Sequence, residues 1–208
     1  DVERSRGLGD VYKRQQIDSI YFNISLTLDL VEKLDSALDS ILNRIRQLIT
    51  FNKNEKFIQQ IKLLNTIPGV GFLTAVTIMC EIGDFSAFRN PKQLFAYFGL
   101  DPEVNESGKF VGTQLHMSKR GSRIARRAIF AVALASIRTK RNGEGINPYL
   151  RKYYELKSGQ KPKMVAIGAV MHKVCNIVFA VLRDEKAFEL RSPEEHCKQY
   201  QRPALAAA

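Results

Sequence analysis

The chain has 208 residues, of which 45% are hydrophobic and 25% are charged, as expected for a globular protein of one large domain or two small ones. It carries 32 Lys and Arg residues against 21 Asp and Glu residues, a formal net charge of +11 that indicates a polyanionic partner. Residues 109–163 hold fourteen basic and two acidic residues, a net of +12, so this stretch accounts for the whole excess.

Several classes of protein are excluded by what the sequence lacks. The longest apolar run, in Met164–Met171, is shorter than the roughly 20 residues that cross a bilayer, and no secretory signal is visible. We therefore expect a cytoplasmic protein with no membrane partner. The three cysteines, Cys80, Cys175 and Cys197, are far apart, so we expect neither a disulfide framework nor a metal site.

The first fifteen residues stand apart from the rest, because residues 1–15 have neither helical nor strand periodicity. Asp10–Gln15 is what the codons GAT GTG TAT AAG AGA CAG would encode, and that string resembles a sequencing-adapter end. Residues 1–15 are interpreted as an adapter artefact or a disordered terminus. The natural protein is then expected to begin upstream and to be truncated here.

Residues 16–60 are predicted to form a coiled-coil helix. Heptads run from Ile17 to Leu48 with one polar member and no Pro or Gly, until a polar patch at residues 52–56 interrupts them. The two seams are Ile17, Ile24, Val31, Leu38 and Ile45, and Ile20, Thr27, Leu34, Ile41 and Leu48. The pattern predicts pairing with another helix, within or between chains, and we expect a homo-oligomer through it. The alternative is a long amphipathic helix that packs on its own domain.

The remainder is predicted to be a compact helical domain at residues 61–190, followed by a flexible tail at residues 191–208. Gly and Pro residues predict a loop or hairpin at residues 101–114, and Ser122–Lys140 is predicted to be a helix with Ile124 among its core contacts. The predicted fold class is all-α, with at most one small hairpin.

The turn between the first two helices of this domain is predicted to bind phosphate. Pro68-Gly69-Val70-Gly71 breaks one helix, and an apolar run at helical spacing follows, which is typical of a helix-hairpin-helix. Two glycines let a backbone approach a phosphate closely, and the amides at the start of the second helix point at the anion. A plain helix–helix turn is the alternative.

A second candidate for nucleic-acid binding lies at the start of the Ser122–Lys140 helix. Gly121 followed by Ser122 indicates a helix start with Ser122 as its N-cap. Cations without a neighbouring acid favour phosphate binding over a solvated basic face. The candidate DNA- or RNA-binding residues are Gly69, Val70, Gly71, Lys109, Lys119, Arg120, Ser122, Arg123, Arg126 and Arg127.

A series of ordered motifs resembles a known family. Five of them follow at compatible spacing: Leu64-x-x-Ile67-Pro68-Gly69-Val70-Gly71, Phe95-Ala96-Tyr97-Phe98-Gly99-Leu100-x-Pro102, Glu106-Ser107-Gly108, Met117-Ser118-Lys119-Arg120-Gly121 and Arg126-Arg127-Ala128. The series resembles the C-terminal transposase domain of the "one-ten" family of bacterial insertion-sequence elements, which are kin to the pilin-gene invertases.

The resemblance implies a two-part catalytic mechanism. An N-terminal RNase-H-like domain with an acidic, Mg-binding tetrad would act with a C-terminal serine that attacks a DNA phosphate, and a guide RNA would choose the sites. The matching serine here is Ser107. The acidic domain is absent from this sequence, so this fragment is expected to hold no cofactor, to bind nucleic acid and not to recombine DNA alone.

Two other functions remain open from the residues alone, since no P-loop, nucleophile elbow or paired carboxylates stand out. The first is a non-catalytic helix-hairpin-helix module with a coiled-coil dimeriser. The second is an RNA-binding structural protein that uses Tyr153, Tyr154 and the basic stretch.

Overall fold

The computed structural model describes the backbone of residues 2–103, 106–107, 110–111 and 116–200, and the side chains of residues 17–103 and 116–196. The chain divides into two compact units, Asp1–Lys53 and Asn54–Ala208. The first unit is one long helix, and the second contains the remaining helices and a small hairpin.

Helix α1 extends over Val2–Thr50. The predicted helix is present but ends at Thr50 and not at residue 60, because residues 55–60 belong to the next helix. The seam residues Ile17, Val31 and Leu38 are about half exposed. The helix begins well before residue 16, although residues 1–15 have no periodic pattern, because nucleation is the costly step and an existing helix extends cheaply. It ends at the predicted polar patch, where the Asn54 side chain accepts a hydrogen bond from the Phe57 amide and begins the next helix.

The second unit is largely helical, as predicted. Its helices are α2 (Glu55–Leu64), α3 (Phe72–Ile82), α4 (Pro91–Phe98), α5 (Arg123–Ile137), α6 (Pro148–Ser158), α7 (Lys163–Asp184) and α8 (Pro193–Tyr200), with a 3-10 turn at Phe85–Ala87. Strands β1 (Glu106–Ser107) and β2 (Phe110–Val111) form an antiparallel hairpin within the predicted loop. The fold is therefore all-α with one small hairpin among the described residues.

Helix α7 is the centre of this unit. Ten of its 22 residues are buried, and it packs against α2, α4, α5 and α6. By length and hydropathy α7 could cross a membrane, yet 56% of its most apolar window is buried inside the structure. That burial is typical of the core helix of a globular domain.

Helix α5 is shorter than predicted. It ends at Ile137 because Arg138 is extended and Thr139 pairs with Gly145.

The buried face of α5 is only partly the predicted one. Ala128, Ile129 and Val132 are buried, as predicted. Ile124, predicted to lie in the core, is 56% exposed, whereas its neighbour Ala125 is fully buried. One step of 100° separates these two positions, so the buried face is centred on Ala125 and not on Ile124.

Helix α8 lies within the segment that was predicted to be a flexible tail. The Ser192 hydroxyl accepts from the Glu195 amide at 3.1 Å, and the Glu195 carboxylate accepts from the Ser192 amide at 2.9 Å. This is a capping box with Pro193 at the first helical position. The sequence Ser192-Pro193-Glu194-Glu195 carries this capping pattern, but the residues that follow it have no apolar periodicity to indicate a helix.

Candidate nucleic-acid interface and nucleophile

Ser107, the predicted nucleophile, has its backbone in strand β1. Glu106 pairs with Val111 and Ser107 with Phe110, so the hairpin turns immediately after Ser107. The Ser107 side chain lies outside the described residues, as does the predicted phosphate ligand Lys109.

The hairpin base, Asp101–Glu103 with His116–Ser118, is held by several hydrogen bonds. The Glu103 amide donates to the His116 carbonyl at 2.7 Å, and the Ser118 amide donates to the Asp101 carbonyl at 2.8 Å. The Ser118 hydroxyl also donates to Asp101 Oδ1 at 2.6 Å in a half-buried setting. Asp101 and Glu103, two alternate residues of one arm, are therefore joined to the other arm, Asp101 through both backbone and side chain.

The Ser118–Ser122 segment leads directly from the hairpin base into α5 and packs on the end of α4. The Lys119 amide donates to the Gly99 carbonyl at 3.2 Å, and the Ser122 amide donates to the Tyr97 carbonyl at 2.8 Å. Lys119 has a φ of +55°, in the left-handed region. A Cβ on Gly121 would overlap the Tyr97 carbonyl oxygen and the Gly99 nitrogen, so only glycine fits there.

The predicted cations meet at the start of α5, and four of them are exposed. We call Lys119, Arg120, Arg123, Arg126 and Arg127 the α5 cationic cluster. Arg126 is half-buried, and its Nη1 donates to the Phe98 carbonyl at 3.1 Å. A cation on the last carbonyls of a helix stabilises its end, so Arg126 supports α4 while the other four face solvent.

Ser122 has protein partners on both sides of its hydroxyl oxygen. It accepts from the Ala125 amide at 3.1 Å, as the predicted N-cap of α5, and donates to Glu81 Oε2 at 2.6 Å. The predicted phosphate contact of this hydroxyl would have to replace those bonds. Glu81 therefore lies next to the cluster, although it is 41 residues away in sequence. Counting charges along the chain could not reveal this neighbouring acid.

The Pro68–Gly71 turn joins α2 to α3 as predicted, yet it is packed rather than wholly open. Gly69 has a φ of +95°, and a Cβ there would lie 2.7 Å from Ser136 Oγ and 3.2 Å from the Val132 carbonyl oxygen. The Ser136 hydroxyl donates to the Pro68 carbonyl at 2.9 Å. The first glycine of the turn is therefore needed for close contact with α5.

The other two turn residues differ from Gly69 and from each other. Val70 is buried and belongs to the core, whereas Gly71 is exposed with open space around its Cα. Gly71 is the N-cap of α3, where it has no side chain to accept a hydrogen bond from the first amides of the helix. Of the three predicted turn residues, Gly71 is the one whose surroundings leave room for a ligand.

The turn and the α5 cationic cluster lie at opposite ends of α5. Ser136, which contacts the turn, comes fourteen residues after Ser122. At about 1.5 Å per residue this is about 21 Å along the helix axis. The structure therefore brings the cations together with the hairpin base and leaves the glycine turn apart from both.

Two lysines lie over the ring of an aromatic residue on α6. The Lys157 and Lys173 ammonium groups lie 5.7 and 5.4 Å from the centroid of the half-buried Tyr153 ring. This cation–π arrangement adds positive charge beside a stacking surface. Sequence reasoning singled out Tyr153 but did not find Lys173, which is contributed by a different helix.

The pKa values of two described cysteine thiols, Cys80 and Cys175, are raised. Burial raises the pKa of the Cys175 thiol far above its usual range. The pKa of the Cys80 thiol is also raised, first by partial loss of solvent and then by the nearby Glu81 carboxylate. Across the described part of the chain, no three His, Cys, Asp or Glu residues come together as a metal site.

Comparison with known proteins places the turn, the hairpin and the cationic cluster in one recognised region. Residues 61–155 match the model of the Transposase IS116/IS110/IS902 family. The chain is 31% identical over 182 residues to the pilin gene-inverting protein of Moraxella bovis, covering 87% of this chain and 54% of that protein.

Two relatives from other bacteria are also proteins of insertion sequence elements. The transposase for insertion sequence element IS1111A of Coxiella burnetii is 26% identical, over 79% of this chain and 45% of that protein. The IS110 43.6 kDa protein of Streptomyces coelicolor is 25% identical, over 85% and 40%.

These matches define the class as the transposases of bacterial insertion sequences. Within that class, the chain belongs to the IS116/IS110/IS902 family. It spans about half the length of the curated relatives that it matches.

Proposed function

We propose that this chain is the part of a DNA transposase or recombinase that binds nucleic acid and supplies a nucleophilic serine, Ser107. The relatives include a transposase and a protein that inverts pilin genes, and both names describe DNA rearrangement. The match covers only about half of those proteins, so the reaction is assigned to the whole recombinase. The family resemblance of the motifs makes this chain the C-terminal part of it.

One observation carries the proposal: the return arm of the hairpin that holds Ser107 leads through Ser118 into the α5 cationic cluster. The hairpin base ends at Ser118, and the first cation, Lys119, is the next residue. A phosphate beside the hairpin would thus lie near positive charge from Arg120, Arg123 and Arg127. Cations at fixed positions stabilise the charge that develops on a transferring phosphoryl group.

The proposed covalent step is a transesterification. The Ser107 oxygen forms a bond to a DNA phosphorus, the bond from phosphorus to the 3′ oxygen breaks, and a 5′-phosphoserine remains. The serine proton passes to a base, and the released 3′ hydroxyl takes a proton. A serine is a weak nucleophile at neutral pH, so a base or a metal must activate it.

The activating groups are assigned to a domain that this chain does not contain. Family resemblance supplies an N-terminal acidic domain with Mg²⁺, which would orient the phosphate and its leaving oxygen when bound. The resemblance likewise supplies a guide RNA as the partner that selects the DNA sites.

We further propose that the whole protein works in the cytoplasm, without a membrane partner, as a homo-oligomer joined through α1. About half of each seam side chain of Ile17, Val31 and Leu38 is exposed on α1. Apolar rows at heptad spacing pair with another helix when one is available. Sedimentation of the wild-type chain and a Leu38→Asp variant tests this, since a monomeric wild type contradicts it.

The test of Ser107 is a covalent-adduct assay. The acidic domain of a family member is supplied in trans with Mg²⁺ and labelled DNA, and adducts are resolved on denaturing gels. We expect an adduct with the wild-type chain and none with Ser107→Ala, while DNA affinity is equal in both. An adduct that persists in Ser107→Ala assigns the nucleophile elsewhere.

A non-catalytic nucleic-acid-binding module is the second candidate. It is favoured by the open Gly71 turn, which lies at the far end of α5 from the cationic cluster, since that turn could hold a phosphate backbone apart from the proposed nucleophile. Absence of any adduct, together with salt-dependent DNA binding, favours this candidate. A preference for RNA that depends on Tyr153 favours an RNA-binding protein instead.

A further inference from the structure

We propose that Asp101 and Ser118 are positioning residues, whose side-chain hydrogen bond fixes the Ser107 hairpin relative to the α5 cationic cluster. The inference rests on the proposed function in one respect, namely that Ser107 is the nucleophile. It concerns two residues of the hairpin base that belong neither to the α5 cationic cluster nor to the proposed nucleophile.

Two hydrogen bonds join Ser118 to Asp101 at the hairpin base. The Ser118 hydroxyl donates to Asp101 Oδ1 at 2.6 Å, and the Ser118 amide donates to the Asp101 carbonyl at 2.8 Å. Both side chains are half-buried, so water competes less for the pair than at an open surface. A charge-assisted hydrogen bond of this length is among the stronger ones in proteins.

The described pairs of the hairpin do not share one register. Near the tip, Glu106 pairs with Val111, whereas at the base Pro102 pairs with Met117. From one pair to the other the chain advances four residues on the outgoing arm and six on the return arm, a shift of two. A hairpin of short strands is marginal alone, so contacts at the base contribute to its orientation.

The return arm continues into a segment that is already fixed. The Lys119 amide and the Ser122 amide are bound to carbonyls at the end of α4, and Gly121 is in close contact with the same backbone. Ser118 is thus the last point at which the hairpin can move relative to the cations. Linking its hydroxyl to Asp101 ties the outgoing arm to that fixed segment as well.

The chain offers a matched control. Ser122 makes the same kind of hydroxyl-to-carboxylate bond at 2.6 Å, to Glu81, at the other end of the same segment. Loss of that bond affects the start of α5 without touching the hairpin base. Ser118→Ala, Asp101→Ala and Asp101→Asn are therefore compared with Ser122→Ala, where Asp101→Asn keeps an acceptor oxygen and loses only the charge.

The first readout is hydrogen exchange of the Glu103 amide in the 208-residue chain, because its bond to His116 crosses the base. We expect exchange about five- to tenfold faster in Ser118→Ala and Asp101→Ala, as for loss of one hydrogen bond. Ser122→Ala and Asp101→Asn stay close to wild type. Unchanged exchange in Ser118→Ala and Asp101→Ala, or an equal rise in Ser122→Ala, overturns the inference.

The second readout is the rate of adduct formation at Ser107 with the acidic domain supplied in trans. We expect a fall of about tenfold to a hundredfold in Ser118→Ala and Asp101→Ala with DNA affinity retained, and recovery in Asp101→Asn. If Asp101→Asn loses the adduct while exchange stays slow, the carboxylate acts chemically and the positioning role is wrong.

The two readouts separate the inference from the proposal beneath it. If the wild-type chain forms no adduct at Ser107, the proposed nucleophile fails. The exchange of the Glu103 amide then still decides whether Asp101 and Ser118 hold the hairpin.

Discussion

Arg126 of α5 donates through Nη1 to the Phe98 carbonyl, 3.1 Å away at the end of α4. This contact crosses between two helices within the second unit, and it uses a residue that charge patterning assigns to phosphate binding. A Cβ on Gly99 would lie 2.7 Å from the same Nη1, so the guanidinium lies closely against the turn that ends α4.

Replacing Arg126 and Arg127 separates structural from binding cations. We expect Arg126→Ala to lower the free energy of unfolding by about 1 to 2 kcal/mol, because the Phe98 carbonyl loses a charged donor. Arg127 is exposed, so Arg127→Ala is expected to leave stability unchanged and to weaken DNA binding. Urea unfolding and DNA titration measure the two effects, and equal stability of both variants would contradict the assignment.

Lys119 combines an exposed charge with a left-handed backbone, and two substitutions separate these properties. Lys119→Gly is expected to be more stable than Lys119→Ala by up to about 1 kcal/mol, since glycine has no Cβ to strain at a φ of +55°. Both variants lose one cation, so the salt dependence of binding falls by about one unit in each. Equal melting temperatures for the two would show that the strain is absent.

Gly121 and Gly71 form a matched pair for testing where glycine is required. Gly121→Ala is expected to cost more than about 2 kcal/mol, because the new Cβ meets the backbone of Tyr97 and Gly99. Gly71→Ala places a methyl in open space and is expected to cost less than about 1 kcal/mol. Thermal unfolding measures both. A loss of DNA affinity in the folded Gly71→Ala variant supports phosphate binding at the turn.

The capping box of α8 is expected to respond to acid. Hydrogen bonds from the Ser192 backbone, and then those with its side chain, lower the pKa of the exposed Glu195 carboxyl. A lowered pKa in the folded state means that the stabilisation is complete above the ordinary carboxyl pKa and is lost as the pH falls through the lowered one. The Glu195 amide resonance should follow this loss, and Glu195→Gln should abolish the pH dependence.

The helices were predictable wherever capping and turn residues coincide with apolar spacing. Asn90-Pro91 begins α4 and Gly99 ends it in the left-handed conformation, as local sequence requires. Ile124 was misplaced because Ala and Ile are both apolar, and only packing against α3 and α7 decides which of the two faces inward. Helix α8 was missed because a polar helix has no apolar stripe.

The candidate site was predictable as a set of residues but not as an arrangement. The basic stretch and Ser122 as an N-cap follow from local rules. The partners Glu81 and Asp101 come from 41 and 17 residues away in sequence, and no spacing rule links them to Ser122 and Ser118. The division of the cations into Arg126 and the exposed four likewise depends on where α4 ends.

Helix α5 places a minimum on the size of any ligand that reaches both of its ends. About 21 Å separates Ser122 from Ser136, and duplex DNA advances about 3.4 Å for each base pair. A duplex that contacts the cations at one end and the glycine turn at the other must therefore cover about six base pairs. Oligonucleotides shorter than that can engage one end only, so the length of a single helix sets a lower limit on the duplex that contacts both candidate surfaces.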